Sequence, residues 1–169
     1  MILSLMTLVV FPFLMAFAGS SDLFTMTISN RVSIILVTSF IGFALLAGLP
    51  LEKIGMHLAC GFAVLVLTFT FFAFNWVGGG DAKLAASTAV WLGWSNIMDY
   101  GVLTSILGGL LTIAFINLRK WPLPPWAEAR EWMARLYNAE NGVPYGLALA
   151  AAGLIMFPET EIWHAALGV

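Results

Sequence analysis

Charge is what this sequence has least of. Only 9% of its 169 residues are charged, against 61% hydrophobic ones, and the mean hydropathy is +0.96. So little polar surface cannot coat a soluble globule, which leaves a polytopic membrane protein. Seven Lys and Arg against nine Asp and Glu give a net charge of -2 with no basic run. That excludes a nucleic-acid partner, because phosphate binding needs clustered cations. Cysteine is nearly missing too: Cys60 is the one copy, so no intrachain disulfide and no Cys-based zinc site can be built, and Cys60 reads as core. No Lys or Arg precedes Arg31. This counts against a signal peptide over Met1 to Ala18, where Ala16-Phe17-Ala18 resembles a cleavage site, since a signal peptide wants a basic start; the run reads as a span.

What fills the sequence is apolar stretches of helix length. A bilayer core about 30 Å thick takes about 20 apolar residues of helix. By that ruler six spans read near residues 2–21, 32–50, 54–76, 82–98, 100–118 and 143–158. The fourth is the weakest, because LAASTAVWLGW is rich in small residues and Asn96 and Asp99 crowd its end. Five spans, with residues 82–118 partly re-entrant, are the alternative. Basic residues stay on the cytoplasmic side. Arg31, Lys83, Arg119, Lys120, Arg130 and Arg135 fall together under this scheme, with Lys53 opposite. Both termini are then outside, as are Glu52, Asp99, Glu159 and Glu161, and the loops with Asp22 and Asp81 are cytoplasmic. Trp76 and Trp121 would mark the inner interface, Trp94 and Trp163 the outer one. The expected fold is an all-α bundle, one integral membrane domain over residues 1–169, with no internal repeat of 20 to 50 residues.

One substantial loop interrupts this pattern, residues 119–142. Pro124 and Pro125 are suited to opening a helix. From there Trp126, Ala129, Trp132, Met133, Leu136 and Tyr137 share one face, and Glu128, Glu131 and Arg135 the other. The spacing predicts an amphipathic helix on the inner membrane surface, with Glu131 and Arg135 as an i,i+4 pair.

Setting aside the acids of the outer face and of this loop leaves two carboxylates, Asp22 in GSSDLFTMTISNR and Asp81 in GGGDAKL. Each sits at the cytoplasmic end of a span, and ionisable residues at membrane depth are functional candidates by default. If spans one and four pack together the two acids approach, and like charges at short range in a poorly solvated site share one proton. Such a pair activates water with its ionised member and polarises a carbonyl with the protonated one, which is the chemistry of an aspartic protease. Gly78, Gly79 and Gly80 would let the backbone take conformations closed to other residues and let a peptide approach closely. Taken alone, three glycines are an ordinary turn.

On these residues the sequence resembles the type IV prepilin peptidases, the GxGD class of intramembrane aspartic proteases. Gly78-Gly79-Gly80-Asp81, extended through Lys83 and Leu84, is similar to the family's second motif, and Asp22, Ile28 and Asn30 to its first. Ser29 departs, standing where the family usually has proline, which removes a rigid element from that loop and leaves the acid. Val143-Pro144-Tyr145-Gly146 resembles a recurrent C-terminal segment of the short members. The resemblance implies an endopeptidase of the bacterial inner membrane with catalytic Asp22 and Asp81 and no cofactor or metal. It would cut the leader from prepilins or pseudopilins after a glycine that precedes the hydrophobic helix. Its surroundings would be the lipid bilayer and pilus-assembly machinery. The longer members carry a paired-cysteine cytoplasmic domain and methylate the new N-terminus. With one cysteine this sequence looks like the short CpaA or TadV form serving Flp (tight adherence) pili, implying peptidase without methyltransferase activity.

Other polar residues have two readings each. Lys83 could tune the pair or meet substrate, or anchor the chain at the interface. Asn30 braces the first loop or caps the second span. Tyr145, with Pro144 beside it, borders a substrate groove or belongs to the aromatic belt. His57 is read as a helix-packing donor, and His164 as interfacial. Two other classes compete: a small transporter relaying an ion or proton through Asp22 and Asp81, and a structural membrane subunit. Neither the pseudo-symmetry nor the broken helices of a transporter is evident in the sequence.

Overall fold

The computed structural model describes residues 2–167. The described residues form eight α-helices and no strand: α1 (Ile2–Thr25), α2 (Asn30–Leu46), α3 (Leu51–Ala73), α4 (Gly79–Leu118), α5 (Pro125–Glu128), α6 (Glu131–Tyr137), α7 (Tyr145–Met156) and α8 (Glu161–Leu167). Three are long and apolar enough to cross a bilayer, over Met6–Thr25, Leu51–Ala73 and Gly79–Leu118; Asn30–Leu46 and Tyr145–Glu159 are shorter apolar helices. Large apolar side chains such as Phe13, Phe62 and Met98 point outward. An outside this apolar, on helices that bond their own backbones, marks a bundle of membrane type.

A straight helix as long as α4 would measure about 60 Å, twice the bilayer core. It does not run straight. Gly93 sits at φ 68° and ψ -177°, a backbone conformation that glycine takes without steric cost, and the chain turns back there. Asp81 before the break and Thr104 after it line one groove, although a continuous helix would hold them about 35 Å apart. The division expected near Asp99 therefore falls six residues earlier in the sequence, and Asp99 is an exposed residue of the second arm. The break frees carbonyls at the end of the first arm. His57 Nδ1 donates to Val90 O at 2.8 Å, and Asn96 Nδ2 reaches Leu92 O at 3.3 Å and Glu159 O at 3.0 Å. His57 is thus a buried donor that caps the hairpin.

Small residues let the helices close on one another. A Cβ on Gly61 of α3 would lie 2.3 Å from Val90 Cγ2, and one on Gly19 of α1 would lie 3.0 Å from Ala150 Cβ of α7. α7 is wedged between α1 and α4. Phe11 stacks on Phe157 with centroids 4.5 Å apart and meets Trp91 at 5.0 Å, while Trp91 Nε1 donates to Leu36 O at 2.9 Å. Helices α1, α2 and α4 and the turn that ends α7 are tied at this core.

The loop departs from expectation. In place of one amphipathic helix there are two short ones, because Arg130 is extended (φ -108°, ψ 110°). The turn lets α6 dock on the end of α1, with Trp132 edge-on to Phe24 at 5.1 Å and Leu136 buried. Ala129 is left exposed. Glu131 and Arg135 form no ion pair among the described residues; Arg135 Nη1 donates instead to Phe24 O at 3.3 Å, a carbonyl in the last turn of α1 that has no helical partner.

Candidate active site

Asp22 occupies the last turn of α1 and is 6% exposed. The start of α7 faces it. Pro144, the N-cap residue, is buried and brings no N–H, so the next free amides of the helix meet the carboxylate. Gly146 N–H donates to Asp22 Oδ2 at 2.7 Å. An acid at a helix N-terminus is favoured by the helix dipole as well as by the bond itself. Only glycine leaves room for it, since a Cβ on residue 146 would stand 2.8 Å from Oδ2 and 2.6 Å from Ile28 Cδ1.

Asp81 occupies the first turn of α4, with Gly78 as N-cap. Its Oδ1 is buried and meets no protein donor among the described residues. Of the two uses expected for the three glycines, unusual backbone torsions are not found. None of them has a positive φ, and Gly78 is plainly extended at φ -68°, ψ 144°. What they supply is space. A Cβ would meet Asp81 Oδ2 at 2.8 Å from Gly78, the Phe72 ring at 3.2 Å from Gly79, and Ile28 Cβ at 3.2 Å from Gly80. The loop that follows Asp22 therefore packs directly on the turn that carries Asp81.

Both acids line a cavity of about 700 Å³, together with Met26, Asn75, Trp76 and Tyr145, and both line a smaller one of about 250 Å³ beside the glycines. Met26 (φ 54°) and Asn75 (φ 59°) hold left-handed backbone, which ends α1 and α3 beside the cavity. A separate apolar groove of about 600 Å³ runs between α3 and the second arm of α4, and it shares Asp81, Val77 and Tyr145 with the first cavity. A chamber that holds both acids and a more apolar channel thus meet at Asp81.

The remaining expected residues divide. Tyr145 stands at that junction, its ring laid over Gly108 and its hydroxyl 3.4 Å from Thr104 O. Asn30 does not cap α2; Ser29 does, its hydroxyl accepting from Arg31 N at 3.3 Å. Asn30 is a brace, with Oδ1 accepting from Lys83 Nζ at 2.9 Å. Lys83 lines neither cavity that holds the aspartates. Residues two apart on a helix do not share a face, so its side chain leaves the first arm away from Asp81.

Sequence reasoning passed over three positions. Gly146 was visible only as part of a motif, Gly108 as one glycine of an apolar run, and Arg119 as a topology charge. Arg119 donates through Nε to Leu136 O at 3.0 Å and through Nη2 to Gly142 O at 2.5 Å, fixing the loop that delivers Pro144 to Gly146.

Comparison with known proteins agrees with this picture. The type IV leader peptidase family matches residues 9–113, a stretch that includes both aspartates. Two curated relatives, both prepilin leader peptidase/N-methyltransferases of Aeromonas salmonicida and one from strain A449, are each 30% identical over 130 residues. These alignments cover 69% of this chain and 44% of each relative, so the chain spans less than half the length of either. No solved structure matches. With most of its helical core inside the family match, the chain belongs to the type IV leader peptidase family.

Proposed function

We propose that the chain is an aspartic endopeptidase in which Asp22 and Asp81 together hydrolyse one peptide bond of a prepilin. The observation that carries this reading is that both carboxylates line the same cavity, Asp22 bound by an amide and Asp81 with an oxygen unengaged by protein. The ionised member of the pair takes a proton from water, and the water oxygen bonds to the scissile carbonyl carbon. The protonated member hydrogen-bonds the carbonyl oxygen and then supplies the proton that leaves with the amine as the C–N bond breaks.

A prepilin has a polar leader followed by an apolar helix, and the site has matching halves. The leader lies in the chamber, the helix follows the apolar groove, and the bond after the glycine between them comes to Asp81, where the two spaces meet. In this reading the site faces the cytoplasm at the inner membrane, consistent with the basic residues on that side, and the substrates are Flp or type IV-like prepilins. The proposal is limited to peptidase activity. The resemblance ties methyl transfer to a paired-cysteine domain, and Cys60, the one cysteine in this sequence, is buried in α3.

Co-expression with candidate Flp prepilins, followed by mass spectrometry of the pilin N-terminus, tests the reading. A new N-terminus immediately after the leader glycine, without an added methyl group, is the expected product. Intact leaders on every prepilin tried, in membranes that hold the protein, would overturn it.

A further inference from the structure

The face of α4's first arm opposite the aspartates carries a site of its own. α2 and α3 both lean on this arm and scarcely touch one another, which leaves a groove of about 560 Å³ between them. Its walls are apolar, with Ile34, Val37, Leu58 and Phe62 along its length. Lys83 and Asn30 also line it, no Asp or Glu does, and neither catalytic candidate reaches it. Lys83 gives one hydrogen bond to Asn30 Oδ1 and joins no ion pair among the described residues. Ser33 Oγ, in the groove wall, is buried without a partner. Arg31, the residue after Asn30, is exposed and adds a second positive charge nearby. An apolar cleft that carries a cation and lacks a counter-anion is complementary to a molecule with a hydrocarbon tail and a negative head.

We infer that this groove binds an anionic phospholipid, with the phosphate on Lys83 and an acyl chain against Val37, Leu58 and Phe62. The groove opens on the outside of the bundle between the shorter apolar helix α2 and the span-length helix α3, where lipid is the surrounding phase, and Lys83 offers the charge that a zwitterionic lipid would match less well. The bound lipid would fill the gap between α2 and α3 and hold the Lys83–Asn30 brace in place. This inference is independent of the proposed hydrolysis.

Native mass spectrometry of the full chain, titrated with phosphatidylglycerol or phosphatidylcholine, tests it. The expected result is preferential retention of phosphatidylglycerol, with the preference falling about fivefold in Lys83→Gln. It should persist in Lys120→Gln, which removes an exposed cation bonded to Asn117 elsewhere. Leu58→Trp, which fills the groove, should displace both lipids. Equal retention of the two lipids by the unaltered chain would overturn the inference without recourse to any variant. So would a loss in Lys120→Gln as large as that in Lys83→Gln, since general surface charge would then explain the preference.

Discussion

The amide of Gly146 and the carboxylate of Asp22 meet at 2.7 Å across 124 positions of sequence. This contact joins the start of α7 to the end of α1 and determines where one of the two acids points. Gly146→Ala would place a methyl group 2.8 Å from Oδ2, and a displacement of about 1 Å at a reacting group lowers rate by about a hundredfold. Prepilin cleavage should fall by that order while the protein still inserts. Gly109→Ala, where nothing lies within 4 Å, is the control and should cleave normally. Equal activity in the two variants would remove Gly146 from its positioning role.

Asp22→Asn and Asp81→Asn conserve shape and remove the proton chemistry. Each should lower leader removal by about 10² to 10⁴-fold, read as the ratio of processed to unprocessed prepilin at matched protein level. Normal processing by either variant would end the two-aspartate mechanism.

Tyr145 is proposed to act through the place its ring occupies. Its hydroxyl is at the long limit of hydrogen bonding, 3.4 Å from Thr104 O, so Tyr145→Phe should cleave nearly as well as the native chain. Gly108→Ala would set a Cβ 2.2 Å from the ring and expel it from the junction of chamber and groove. Cleavage should drop at least about tenfold, on the same displacement reasoning. The opposite ordering would assign the role to the hydroxyl.

His57 bonds Val90 O at the hairpin, far along the first arm from Asp81. His57→Leu leaves that buried carbonyl unpaired, at a cost of about 1–3 kcal/mol. The thermal midpoint in detergent should fall, with cleavage well below that midpoint unchanged. An unaltered midpoint would mean that another donor takes over the carbonyl.

Ser29 holds φ -67°, the angle a proline ring imposes, and its N–H donates to no backbone group among the described residues. Ser29→Pro loses a cap worth about 0.5–2 kcal/mol and gains about 0.4–1 kcal/mol by stiffening the unfolded chain. Stability should change by less than about 2 kcal/mol and cleavage should persist. A large loss of either would show that the hydroxyl has a further partner.

The all-α bundle and the meeting of two acids at one cavity were legible because lipid imposes a simple language, in which apolar runs of span length mean helices and an ionisable residue stands out. The hairpin was misplaced because WLGW holds a single glycine with no cluster of turn residues, whereas Asn96 and Asp99 advertised a break that is not there. Asn96 is instead spent on Leu92 O, beside the real break, and on Glu159 O beyond α7. The loop helix was drawn from its opening prolines and its periodicity, and docking on α1 outweighed both, turning the chain at Arg130 and giving Arg135 a carbonyl in place of Glu131. The glycines before Asp81 were recognisable as a feature but not as a purpose, since sequence does not tell a glycine kept for its torsions from one kept for the volume it vacates.

The first arm of α4 is about 14 residues from Gly79 to the break at Gly93, a rise of about 21 Å against the roughly 30 Å that lipid tails occupy. An element this short, closed at one end by its own hairpin, does not span the hydrocarbon thickness by itself. Under the proposed function, the chamber at its start would bring water to Asp81 in a sunken basin, and a helical substrate would have to uncoil near the basin floor before it is cut.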